Sequence, residues 1–194
     1  MLEEDNGNGS LMRIMPLLFA VKDLSVEDRY IKVKEVSSLT HAHFRSVFAC
    51  FIYVEIALHI LKGESAEIAH FKMCNTVLAF ADKEEFSKLE MKLFGRVLSS
   101  GFKDIKEQDI HSGGYVLHTL EAAVWCLLNT DNYTDAVLKA VNLGGDTDTT
   151  ACVTGGLAGL LYGYDEILNV WKDVIARSAD IENLCERLNK QLKL

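Results

Sequence analysis

The chain has 194 residues, 49% of them hydrophobic, with 28 acidic against 20 basic side chains and a formal net charge of −8. That length suits one domain with a sizeable core, and the acidic balance disfavours a nucleic-acid backbone as partner. A single proline fits a helical chain better than a β-rich or loop-rich one, so the expectation is an all-α, single compact multi-helix domain. The cysteines, Cys50, Cys74, Cys126, Cys152 and Cys185, are odd in number and widely spaced, without a CxxC pair. They read as reduced, buried thiols in a reducing, cytoplasmic compartment. Met1 to Ser10 is acidic and glycine-rich, unlike a signal peptide. No uncharged apolar run reaches the roughly 18 residues of a membrane span, so no membrane is expected as partner.

Leu2 to Asp5 is acidic and reads as loose chain. Asn6-Gly7-Asn8-Gly9-Ser10-Leu11-Met12-Arg13-Ile14-Met15-Pro16-Leu17 is a glycine-rich turn leading into an apolar helical segment with one arginine. Such a turn can bring bare N–H groups against a phosphate; a plain loop has the same composition. Ser25 to Leu39 is amphipathic, with Val26, Tyr30, Val33, Val36 and Leu39 at three- and four-residue steps. His41 and His43 follow, two apart, a spacing that puts their rings on different sides of a helix, and no Cys or Glu sits at a ligand offset, which disfavours zinc. Phe44 to Leu61 is apolar nearly all round, as a central helix should be, and Gly63 stands in the stop position. Ser65 to Leu78 reads as a helix, Ala81 to Leu98 as a charged surface segment, and Ser99 to Gln108 as a connection.

Ser112-Gly113-Gly114-Tyr115 opens a strong helix whose stripe is Val116, Leu117, Leu120, Ala123, Val124, Leu127 and Leu128. Glycines before a helix are again a potential phosphate cradle. Asn132 or Thr134 can cap a short helix through Val141. Then comes Gly144-Gly145-Asp146-Thr147-Asp148-Thr149-Thr150-Ala151, with Gly155, Gly156 and Gly159 in the apolar helix Ala151 to Leu161. Asp146 and Asp148 do not face each other on a helix, so they belong in the turn that opens one. Their carboxylates and the threonine hydroxyls suit a helix cap and equally a hard cation. The interior glycines each cost about 1 kcal/mol against alanine, which close helix packing must offset. Tyr164 to Ile175 reads as one helix, and Ser178 onward as a last amphipathic one with Ile181, Leu184, Leu188 and Leu192 on one face.

Three of these stretches resemble, in the same order, segments of the ADP-ribosylglycohydrolase family. Asn6-Gly7-Asn8-Gly9-Ser10 through Arg13 and Pro16 is similar to its G-N-G-S-x-M-R-x-x-P element. Ser112-Gly113-Gly114-Tyr115-Val116 through Thr119-Leu120 is similar to S-x-G-Y-V-x-x-T-L, with His118 where the family often has Asp. Gly144 to Ala151 is similar to the C-terminal signature. Thr40-His41 matches a Thr-His pair of the family.

The resemblance implies that Asp146, Asp148 and Thr149 are ligands of a magnesium centre, of two ions in the complete family site, with manganese as the alternative. It implies that Asn8, Gly9, Ser10, His41, Gly114 and Tyr115 contact ADP-ribose. The implied activity is magnesium-assisted hydrolysis of the glycosidic bond between ADP-ribose and a modified protein side chain. The whole of 1–194 corresponds to the family domain without its N-terminal part. The T-D-D-T tetrapeptide that holds the other face of the metal centre is absent from the sequence, and the family's glutamate falls in the same unmatched part, so no catalytic residue is assigned. The readings open at this point are an incomplete hydrolase, completed by a separate N-terminal chain or prone to self-association; a non-catalytic ADP-ribose or nucleotide-binding module; and a structural, crystallin-like relative.

Overall fold

The computed structural model describes residues 6–192; the reading of Leu2 to Asp5 as loose lies outside the described residues. These residues form helices α1 (Gly9–Arg13), α2 (Leu17–Val21), α3 (Val26–Ser38), α4 (Phe44–Leu61), α5 (Ala66–Lys83) and α6 (Lys88–Leu93), followed by α7 (Val116–Leu128), α8 (Tyr133–Asn142), α9 (Thr147–Tyr162), α10 (Asn169–Lys172) and α11 (Ser178–Leu192). Among the described residues there is no β-strand; the one extended pairing is an isolated bridge between Gly7 and Tyr115.

Local chemistry starts the helices where the sequence predicts. Ser25 accepts from the Asp28 amide at 3.1 Å, Ser65 from that of Ile68 at 3.4 Å, and Asn132 from that of Asp135 at 2.8 Å. Each satisfies a donor that the first helical turn leaves free. Gly63 takes a φ of 85° just after α4, the left-handed stop that glycine makes without strain.

The core is built around α4, which packs against α1, α3, α5, α7 and α9. Its residues from Ser46 to Leu58 are all buried. It is long and apolar enough to cross a membrane by length and composition alone, although it carries Arg45 and Glu55, and most of it lies inside the fold. Phe44, Phe48 and Phe51 of α4 interlock with Tyr30, Phe80, Phe86 and Phe94 at ring separations between 4.9 and 6.4 Å. Burying each such side chain contributes about 1.5–3 kcal/mol. The core also encloses Glu55, which Arg29 meets with two bonds of 2.6 and 2.8 Å.

The glycines of α9 have the expected packing reason. A Cβ on Gly156 would stand 2.5 Å from the Tyr53 hydroxyl, and that hydroxyl donates to the Val153 carbonyl at 2.8 Å. The missing side chain lets α4 reach the α9 backbone.

Several boundaries differ from the sequence reading. Pro16 splits the first apolar segment into α1 and α2, since it cannot donate within a continuous helix. The Ser65 helix continues to Lys83, and the charged stretch after it is not all surface, because Phe94, Val97 and Leu98 are buried. Phe102 anchors the following connection with no exposure at all. Tyr164 to Ile175 is a 3-10 turn and the short α10 rather than one helix. Cys50, Cys74 and Cys126 are buried as expected, whereas Cys152 and Cys185 are exposed.

Candidate functional site

The three glycine-bearing stretches meet at one end of the bundle. Gly7 pairs with Tyr115, and the Val116 amide donates to the Asn6 carbonyl at 2.9 Å. The Asp146 amide donates to the Ser112 carbonyl at 2.8 Å. Side chains then lock the three together. The Asn8 amide donates to Thr119 Oγ1 at 2.8 Å and to Asp146 Oδ2 at 2.7 Å, and Thr119 passes its own proton to the Gly113 carbonyl at 3.3 Å.

Glycine is required where the backbone of Gly145 meets that of Ser112, and small size helps at two further points. Gly145 has a φ of 65°, and a Cβ there would lie 2.7 Å from the Ser112 carbonyl oxygen. A Cβ on Gly9 would meet the His41 ring at 2.8 Å, and one on Gly114 would reach Asp146 Oδ2 at 3.4 Å. His41 therefore lies flat against Gly9. Its Nδ1 is 2.7 Å from the Thr40 hydroxyl, which in turn accepts from Arg13. Arg13, the fixed positive charge nearest the first turn, thus orients the Thr-His pair.

The helix α9 begins at Thr147, earlier than the apolar run suggests, so Asp148 and Thr149 lie in its first turn and Asp146 in the capping position. Asp146 makes no side-chain cap bond to the helix. Its carboxylate accepts from Asn8, and that donated amide, more than any other contact, holds it below the usual carboxylate range, with Thr149 and Asp148 of the first turn adding to the effect. Asp148 is exposed, Thr149 is buried, and Thr150 beside it is fully buried with a hydroxyl that has no hydrogen-bond partner.

Asn8, Gly9, His41, Gly114, Tyr115 and Asp146 thus come together, with Asp148 and Thr149 on the adjoining turn. Ser10 stands apart: it is fully buried under α4 and accepts from the Cys50 thiol at 3.4 Å. Tyr115 is held from outside by Arg45, whose guanidinium donates to the phenol oxygen at 3.3 Å while pairing with Glu90 at 2.8 Å. Beyond Tyr115 lies an open cavity of about 440 Å³ lined by Arg96, His111, His118 and Glu121 among others. Burial raises the Glu121 carboxyl to about 6, against the pull of Arg96, and burial lowers His118, aided by the charge of His111.

Thr119, Ser112 and Thr40 were not singled out from sequence. Each acts through one hydroxyl or carbonyl whose partner is far along the chain, and only their place inside the quoted motifs marks them. Among the described residues no cluster of three or more His, Cys, Asp or Glu side chains is placed to hold a metal. Asp146, Asp148 and Thr149 are all-oxygen donors, the chemistry a hard divalent cation takes, and three such donors would fill only part of a six-ligand shell.

A fold of packed helices with this junction of glycine turns and an acidic helix start places the chain in a definite class. The ADP-ribosylglycohydrolase family model matches residues 2–193, and the chain belongs to that family. It is 36% identical over 189 residues to an ADP-ribosylarginine hydrolase of Serratia proteamaculans, covering 95% of this chain and 47% of that protein. It is 29% identical over 169 residues to the ADP-ribosyl-[dinitrogen reductase] glycohydrolase of Rhodospirillum rubrum, covering 87% of this chain and 50% of the relative. A solved structure titled an ADP-ribosylglycohydrolase-related protein complex superimposes with a TM-score of 0.80 at 27% identity, over 97% of this chain and 62% of its own. The chain spans about half the length of the curated relatives it matches.

Proposed function

We propose that this chain carries the ADP-ribose-binding half of a magnesium-assisted ADP-ribosyl hydrolase site. The observation that carries the reading is the Asn8 amide, which ties Asp146 to Thr119 and so gathers the three family stretches around one point. In this reading the backbone of Gly7 to Gly9 and of Gly113 to Gly114 lies along the ligand's phosphates, and His41 and Tyr115 flank it. Asp146, Asp148 and Thr149 hold the cation. Bound there, the ion would orient the ribose and polarise a water for attack at the anomeric carbon. The protein's own contribution is placement: the Asn8 amide fixes the Asp146 carboxylate at the junction.

The leaving group proposed is a protein arginine side chain, because relatives above 30% identity are named ADP-ribosylarginine hydrolases. Turnover needs further acidic ligands for the opposite face of the ion, and in this reading they come from a segment corresponding to the unmatched part of the relatives. A second reading, binding without hydrolysis, is favoured by the lack of a third acidic ligand beside Asp146 among the described residues.

Calorimetric titration of ADP-ribose with and without magnesium tests both. Binding that tightens with magnesium, together with release of ADP-ribose from an ADP-ribosylarginine peptide once a segment bringing the further acidic ligands is supplied, supports the hydrolase. Magnesium-indifferent binding without release supports the binding module. No binding in either condition overturns both.

A further inference from the structure

The last described helix, α11, buries no side chain. An isolated helix of its 15 residues is marginal in water, because protein helices draw most of their stability from packing an apolar face. It nevertheless has such a face. Ile181 and Leu184 are 50% and 59% exposed, Leu188 lies one to two turns on, and Val170, Val174 and Ile175 extend exposed apolar surface just before it. The Tyr164 hydroxyl of the preceding segment donates to Glu182 of this helix at 3.3 Å.

The charges around that face say what covers it. Asp180 and Arg187 are seven residues apart, which is close to two turns, so they share one flank of the Ile181–Leu184–Leu188 stripe. They stand on either side of Leu184 along the helix. Arg177 bonds Asp180 at 2.6 Å from the N-terminal side and fixes that carboxylate in place. Cys185 lies on the other flank.

We propose that α11 is a self-association helix, two copies of this chain pairing their α11 helices antiparallel with Leu184 at the two-fold axis. Antiparallel pairing sets like flanks against each other. Asp180 then meets Arg187 of the second copy, and the reciprocal pair forms by symmetry. Ile181 packs against Leu188 of the second copy. A parallel pair would instead set the flank with Asp180 and Arg187 against the flank with Cys185, which offers those charges no partner. The proposal is independent of the ligand site, which lies at the start of α9 and not on α11.

Light scattering of the full chain over a dilution series tests it. The wild-type chain is expected to dimerise, and Leu184→Glu to be monomeric, its helical circular dichroism falling by no more than the share of the 15 residues of α11. Asp180→Arg and Arg187→Asp each place like charges together and weaken the homodimer by about tenfold. Mixed in equal amounts, these two variants regain dimer, because each now supplies the charge the other lacks. A wild-type chain monomeric at every concentration overturns the proposal. So does a dimer that survives Leu184→Glu, or a mixture that associates no better than its components.

Discussion

The side-chain amide of Asn8 donates to Asp146 Oδ2 at 2.7 Å across a sequence separation of 138 residues. A second contact of the same amide, to buried Thr119 at 2.8 Å, makes Asn8 the joint of three segments. Asn8→Ala leaves the Thr119 hydroxyl short of a donor and Asp146 without its nearest one. The expected cost is about 1–3 kcal/mol of stability, read by urea denaturation, together with a loss of any magnesium-dependent tightening of ADP-ribose in calorimetry. Unchanged binding in a folded Asn8→Ala protein would separate Asp146 from the ligand.

The same contact sets a response to acid. Asp146 titrates below its ordinary value of 3.8 in the folded chain. A depressed carboxyl contributes stability that is present above that ordinary value and fades as the pH falls through its own lower one. Asn8→Ala, which returns Asp146 toward 3.8, is therefore expected to move the acid-unfolding midpoint upward in pH. Circular dichroism from pH 5 downward measures it.

Glu121 has the opposite sign. Its carboxyl is raised from 4.5 to about 6 by burial, so its contribution is whole below pH 4.5 and is lost as the pH climbs through 6. The loss is about 2 kcal/mol by the usual conversion. Glu121→Gln, neutral at every pH, is expected to flatten the stability profile between pH 4.5 and 7 in thermal melts.

Gly145→Ala combines a φ of 65° with a Cβ 2.7 Å from a backbone oxygen of Ser112. Backbone cannot swing aside as a side chain can, so strain and overpacking add to about 2–4 kcal/mol. Gly144→Ala shares the positive φ of 79° but has open space around its Cβ, and its cost is expected to be the smaller of the two.

Removing Glu55 alone strands the Arg29 guanidinium, 7% exposed, in the core. The expected loss is about 3–5 kcal/mol. The double change Arg29→Met with Glu55→Leu is expected to recover most of it, which a comparison of denaturation midpoints checks.

The helical architecture was open to sequence reading because its signals are local. The all-round apolar α4, the serine and asparagine caps and the stop at Gly63 each act within a few residues. The segments that meet at the site are marked by their glycines, read there as potential phosphate cradles; the tight approach of Gly145 to the Ser112 backbone is not among those readings. What local pattern did not reveal is direction. Nothing near Asp146 says that its carboxylate meets Asn8, 138 residues away, nor that Ser10 faces Cys50 under α4 rather than the junction. Tyr164 to Ile175 failed as a helix because its apolar residues have no core to face: Val170 and Val174 remain exposed.

One amide proton reports on the assembly of the whole junction. The N–H of Val116 is tied to the carbonyl of Asn6 at 2.9 Å, a bond outside every helix, made only when the first described residues lie against the turn that opens α7. Its exchange with deuterium clocks how often the site comes apart, without reference to any ligand. A molecule that settles over Gly7 to Gly9 and Gly113 to Gly114 would slow that clock while leaving the amides of α5, on the far side of the bundle core, ticking at their former rate.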